Sequence, residues 1–324
     1  MVRKQISTKS TILFLFLTLV AAAALIFDYL WASSSAIHSN HLLTLTKDEN
    51  GTRLLSGTFA DLAAPLIQWE EMAPAPVPRL DGASIQINQL FFVFSGYRNL
   101  DHVHSHVDVY NITSNKWEQS FATPKEMANS HLGTASDGRY IYVVSGQKGP
   151  QCRTPPISQT FVLDTQTRNW DSFPPLPEPR YAMQSSPSLV HFNLFHHSGF
   201  QVVYSDVYML DDKMKWHTLA PMPKPDSHIE SSWVVVNNSI VIAGGTTEKN
   251  PVTKRMILVG ELFRFDLHSK KWHVIGKLPY RVKTTQAAYW DGWLYITSGQ
   301  RDRGPDNPQP RKVVADLWRT KLKL

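Results

Sequence analysis

A chain of 324 residues with 42% hydrophobic and 19% charged residues can bury a core, which excludes wholesale disorder. Its one cysteine, Cys152, excludes an intramolecular disulfide framework and any C-x-x-C metal or redox site. The formal net charge of +6 includes Arg3, Lys4 and Lys9 at one end and Lys321 and Lys323 at the other; the balanced body carries no basic stripe and speaks against nucleic acid as a partner.

Residues 1–10 are predicted to be a short cytosolic tail. Thr11 to Phe27, TILFLFLTLVAAAALIF, carries no charge, and Tyr29 and Trp31 follow where interfacial aromatics would lie. At about 1.5 Å per residue the run approaches the ~30 Å of a hydrocarbon core, so residues 11–31 read as a transmembrane signal anchor. The basic residues precede the run, which places the tail in the cytosol and the body in the lumen, as in a type II membrane protein. Small residues at Ser34 and Ala36 offer the alternative of a cleaved signal and a secreted body. Residues 32–63 are polar and patternless, and read as a stem. Three sequons, at Asn50, Asn111 and Asn237, are glycosylation candidates that suit a lumenal body in the endomembrane system, the Golgi being the expected compartment.

From residue 64 onward the chain repeats at roughly fifty residues. One marker is Trp69, Trp117, Trp170, Trp216 and Trp272; a second, out of phase with it, is Gly96, Gly146, Gly199, Gly245 and Gly299, each closing a β-like run such as LFFVFSG or LYITSG. Each unit opens with Pro near a basic residue: Pro78-Arg79, Pro124-Lys125, Pro179-Arg180, Pro223-Lys224, and Pro279 before Arg281. An apolar–Asp/Asn step precedes four of the Trp residues: Tyr110-Asn111, Leu163-Asp164, Leu210-Asp211 and Phe265-Asp266. Four short strands per unit make a propeller blade, and the Trp residues fit packing between neighbouring blades. The last unit stops before any fourth-strand Trp, while LIQWEEM around Trp69 is a fourth strand without a unit. Pairing of the two is predicted to close the repeat and hide both edges.

The pattern resembles kelch repeats, and with its N-terminal anchor the chain is similar to plant kelch-repeat membrane proteins. The resemblance covers residues 64–324 and implies an all-β propeller. The family's double glycine stands only at Gly244-Gly245; the other units carry Ser-Gly. Kelch propellers usually have six or seven blades, whereas five are recognisable here. The third unit has His196-His197 where its sisters are apolar, so a blade near 184–202 is either degenerate or lost.

The resemblance implies a non-enzymatic binding or scaffold protein whose ligand, a protein or a glycan, meets the loops between second and third strands. Candidate binding residues there are Arg98, His102, Lys148, Arg153, Lys249, Arg301, Asp302, Arg303 and Asp306. His102 and His104, alternate residues of DHVHSH, form a weak candidate metal pair at roughly 7 Å along a strand. No cofactor is expected. The iron-binding Glu-x3-Asp-x3-His of kelch-like specifier proteins is missing, and nothing places a Tyr beside Cys152 for copper-radical chemistry. Two alternatives stay open: a lumenal enzyme acting on sugars or small metabolites, and a cytosolic ubiquitin-ligase adaptor, which would want an F-box or BTB segment.

Overall fold

The computed structural model describes residues 61–150, 154–179, 190–192, 203, 205–210, 213–249, 256–302 and 312–324. They are all-β, and no helix among them is long and apolar enough to cross a membrane. The predicted span at 11–31 lies outside the described residues, as do Asn50, Cys152 and the His196-His197 pair.

Among the described residues five blade-like antiparallel sheets follow one another along the chain, beside two small ones, Val282–Lys283 with Gln300–Arg301 and Lys312–Val313, and Tyr97–Asn99 with His102–Val103. Blade 1 is Ala83–Ile87, Leu90–Phe94, His106–Asn111 and Lys116–Trp117, with Phe121–Ala122 also pairing with its third strand. Blade 2 is Gly133–Ser136, Tyr140–Val144, Thr160–Asp164 and Asn169–Phe173. In blade 3, Val190–Phe192, Val207–Leu210 and Trp216–Thr218 are described. Blade 4 is Trp233–Val236, Ser239–Lys249, Met256–Asp266 and Lys271–Lys277. Blade 5 joins Gln286–Trp290, Trp293–Thr297 and Leu317–Lys321 to Glu70–Met72, with Glu70 opposite Arg319 and Met72 opposite Leu317. The predicted pairing of the first strand with the last unit is therefore observed. In blade 3 the strand beside Val207–Leu210 is Val190–Phe192, earlier than the Gly199 marker places it.

The sequence repeats have local causes. Leu90–Phe94 is buried at four of its five positions, because both faces of a middle strand are covered by neighbouring blades; alternation is lost there for that reason. The Asp/Asn closing the third strands of blades 1, 2 and 4 folds its turn: the Oδ1 atoms of Asn111, Asp164 and Asp266 accept N–H groups from Ser114, Gln166 and Ser269, at 3.2, 2.9 and 2.7 Å. At the Ser-Gly or Gly-Gly marker of blades 1, 2, 4 and 5 two successive residues have positive φ, as in Ser145 (55°) and Gly146 (96°). A Cβ on Gly146 would lie 2.7 Å from the Ser130 carbonyl oxygen, so in blade 2 glycine is required in the second place while serine serves in the first; in blade 4 a Cβ on Gly244, in the first place, would also collide with the Val282 carbonyl oxygen.

Among the described residues four apolar clusters join blades 1 and 2, 3 and 4, 4 and 5, and 5 and 1. Over them lies a repeated indole bond. Trp117 donates to the Ala73 carbonyl (2.8 Å), Trp170 to Ala122 (3.1 Å), Trp272 to Ala220 (2.9 Å) and Trp69 to Lys277 (2.8 Å). Each of those Trp residues thus ties its outer strand to the end of the preceding blade. Trp216 of blade 3 differs in being 52% exposed, and Phe173 of blade 2 is 45% exposed.

Candidate functional site

The first strands of blades 2, 1, 5 and 4 neighbour one another in that order and line a half-open channel of about 480 Å³. Ser84, Thr134, Ser231 and Ala287, one from each blade, line it. Just before these strands begin, Asp81, His131, His228 and Thr284 all take a left-handed backbone, with φ of 53°, 56°, 60° and 50°. Two of them are bonded to the equivalent residue of the next blade: His131 N–H donates to Asp81 O at 3.0 Å, and Thr284 N–H to His228 O at 2.9 Å. The repeat therefore sets the residues that end each Pro–basic linker just ahead of the strands that line the channel, at the end (its mouth) where those strands begin, though none of them lines the channel wall. The loops joining second to third strands leave from the same end, since second strands run antiparallel to first strands.

Four titratable groups interact at this mouth. Tyr97 OH donates to Asp81 Oδ2, and His131 Nε2 lies 3.6 Å from the same carboxylate. Burial holds the His131 imidazole below its ordinary value; Asp81 opposes this and Lys283 adds to it. Glu230 is pushed up to about 7, chiefly by burial, with Asp81 acting in the same sense and Lys283 against it. Two carboxyls, an imidazole and an ammonium so placed can bind polar ligands or exchange a proton near neutrality. The side chain of Gln286, fully buried at the start of its strand, donates to Ala83 O while its Oε1 has no hydrogen-bond partner among the described residues. None of these residues was predicted. For Asp81, His131, Glu230 and Lys283 a signal was available, since each stands between a Pro–basic step and the first strand of its unit.

The linkers are themselves fixed by charge. Arg79 is buried; it donates to Ser95 O and pairs with buried Asp108. Burial alone would raise Asp108, but hydrogen bonds from His106 and Ser120 and the Arg79 charge hold it well below the usual carboxylate range. In blade 4, Lys224 Nζ lies 2.9 Å from Glu261 Oε1, both side chains being buried. Asp226 beside them is raised well above the ordinary carboxyl value by burial.

The predicted loop residues fall in separate places. Arg98 is exposed and lines a groove of about 570 Å³ with Asn99, Leu100, Gln300 and Lys312. His102 is exposed, its Nδ1 2.9 Å from Asn99 Oδ1. His104 instead sits 3.2 Å from Pro78 O and packs edge-on against His106, ring centroids 5.4 Å apart. Burial and the Arg79 charge push His104 down to about 4. Among the described residues no group of three or more His, Cys, Asp or Glu side chains could hold a metal ion. Lys148 and Lys249 are exposed at loop starts. Arg301 stacks over Tyr280 at 3.9 Å, while Asp302, expected on a solvated loop, is buried at 3% exposure. Arg153, Arg303 and Asp306 lie outside the described residues. Asn237 is an exposed turn residue, whereas Asn111 is half-buried.

No family model matches the chain. A kelch repeat-containing protein of Arabidopsis thaliana is 49% identical over 349 residues, covering 86% of this chain and 81% of that protein. The chain belongs to the kelch-repeat family. Kelch-like protein 13 of Bos taurus and of Homo sapiens is 30% identical over 104 residues, which is 32% of this kelch chain and 15% of theirs. A solved structure, of YjhT, matches 77% of this chain and 84% of its own with 17% identity and a TM-score of 0.41. The stretch aligned with the Arabidopsis protein is longer than the whole 324-residue chain, so that relative carries residues which this kelch protein lacks.

Proposed function

We propose that this kelch protein is a non-enzymatic binding or scaffold protein, held by an N-terminal anchor with its β domain in the lumen of the endomembrane system. Its partner, a protein or a glycan, would meet the channel mouth and the loops around it. The observation that carries the reading is the mutual interaction of Asp81, His131, Glu230 and Lys283 just ahead of the strands that line a 480 Å³ channel in a kelch-repeat chain. The anchor rests on the charge-free run at 11–27 and its preceding basic residues. Exposed Asn237 is the described sequon best placed for a glycan. Protease protection of microsomes, with and without a glycosidase, tests the topology. A protected body that loses mass on deglycosylation is expected; digestion from outside without a glycan shift restores the cytosolic adaptor. Proximity labelling from a tag on the lumenal end tests the binding surface. Partners captured by the wild type are expected to be lost from Lys283→Glu, which reverses one charge at the mouth.

One observation favours the enzyme alternative: a glutamate poised near 7 beside an aspartate is a general acid in waiting. Hydrolysis of a lumenal glycan by the wild type and not by Glu230→Gln would select it.

A further inference from the structure

The segment leading into the first strand is bound to the protein in a way that resembles a ligand. A pocket of about 190 Å³ opens beside the last Pro–basic linker, lined by Lys277, Tyr280, Arg281, Arg301 and Asp302. Three cations reach it, and the Asp61 carboxylate is set among them. Arg281 Nη2 donates to Asp61 Oδ2 at 2.8 Å, and Lys277 Nζ lies 3.9 Å away. Gly260 leaves room for the Arg281 stem, which a Cβ there would meet at 3.0 Å. Arg301 is held flat on Tyr280, and its Nε donates to Asp302 O at 2.9 Å. The next residue completes the contact. Leu62 N–H donates to Glu261 Oε1 at 2.7 Å, and its side chain packs on the apolar cluster between blades 3 and 4.

A carboxylate among cations, a backbone N–H on a carboxylate and an apolar side chain in a hydrophobic seat make a peptide-recognition set. We propose that Asp61-Leu62 occupies, from within the chain, a slot that takes an acidic peptide: an Asp or Glu followed by an apolar residue. The occupying segment is a tethered competitor, so an external peptide enters when that segment lifts. This rests on the binding-protein reading and adds a second contact away from the channel mouth.

The test uses the full chain and a fluorescein-labelled peptide of residues 57–66, GTFADLAAPL, followed by fluorescence anisotropy. Wild type is expected to bind it weakly. The double variant Asp61→Ala, Leu62→Ala is expected to bind at least about tenfold tighter, since the tethered competitor is weakened. Adding Arg281→Met should abolish the gain, and adding Lys277→Gln, at the exposed rim, should reduce it without disturbing the fold. The same peptide with Asp replaced by Asn should not bind. Equal binding by wild type and the double variant, or a gain that survives Arg281→Met, overturns the proposal. So does binding of a polyuronate to the double variant where the peptide fails. None of these outcomes bears on Lys283 or the channel mouth, so the slot can fail while the mouth retains its partner.

Discussion

The linkers entering blades 1 and 2 carry the same Pro–basic step and use it differently. Arg79 is fully buried against Asp108 on the third strand of its blade, whereas Lys125 is exposed. The cause lies on the third strand. Asp108 stands three residues before Asn111; the corresponding residue before Asp164 is Phe161, which offers a cation nothing. Blade 4 also buries its basic residue on an acid, but from another position: Lys224 pairs with Glu261, five residues before Asp266, while Phe263 stands at the place of Asp108. A basic residue at a repeat position is therefore a structural strut where an acid waits beneath it and a solvated side chain where none does.

The sharpest way to break this contrast is Arg79→Met. It leaves Asp108 buried beside His106 and Ser120 without its main cation and should cost about 3–5 kcal/mol in urea unfolding. Adding Asp108→Leu should recover part of that loss, because the uncompensated charge is gone. Equal losses from Arg79→Met and Lys125→Met would overturn the distinction.

A smaller effect is expected at the mouth, with a definite sign. The Glu230 carboxyl is raised from 4.5 to about 7, so its contribution to stability is complete below pH 4.5 and is lost as pH rises through 7. Glu230→Gln, free of that titration, should therefore gain on the wild type between pH 5 and 8, by on the order of 1 kcal/mol at the upper end. A constant difference in melting temperature across that range would contradict it.

Next comes the indole bond. Trp117→Phe removes the donor to Ala73 and should cost about 1 kcal/mol, while Trp216→Phe, at a half-exposed position, should cost less than about 0.5 kcal/mol. Least of all, Lys125→Ala should change stability by no more than about 0.5 kcal/mol, the usual range for an exposed side chain.

Much of the architecture was legible because its markers are local. Turn residues such as Asp266 act within three residues of themselves, and Gly146 is imposed by one carbonyl. Trp69 could be assigned to the last unit because the repeat lacked a fourth strand there. The mouth was harder to see. Asp81, His131, Glu230 and Lys283 come from four linkers, and none belongs to a motif on its own. The exposed loop residues Arg98 and His102 were visible as charges, but they stand apart from that cluster, in a groove and a hairpin of their own. The strap at Asp61-Leu62 lay at the end of a stretch read as a patternless stem. Its partners Arg281 and Glu261 are some two hundred residues away, beyond the reach of any local pattern.

Sequence by itself determined the strand pattern outside blade 3, the repeat length, the closing strand and the family, since each depends on periodicity and on turns a few residues long. Tertiary structure alone decided which basic residues are struts, which acids share a channel mouth, and where Asp61 docks. Burial and charge pairing are properties of neighbours in space, and a desolvated charge is settled only by the partner that the fold brings to it.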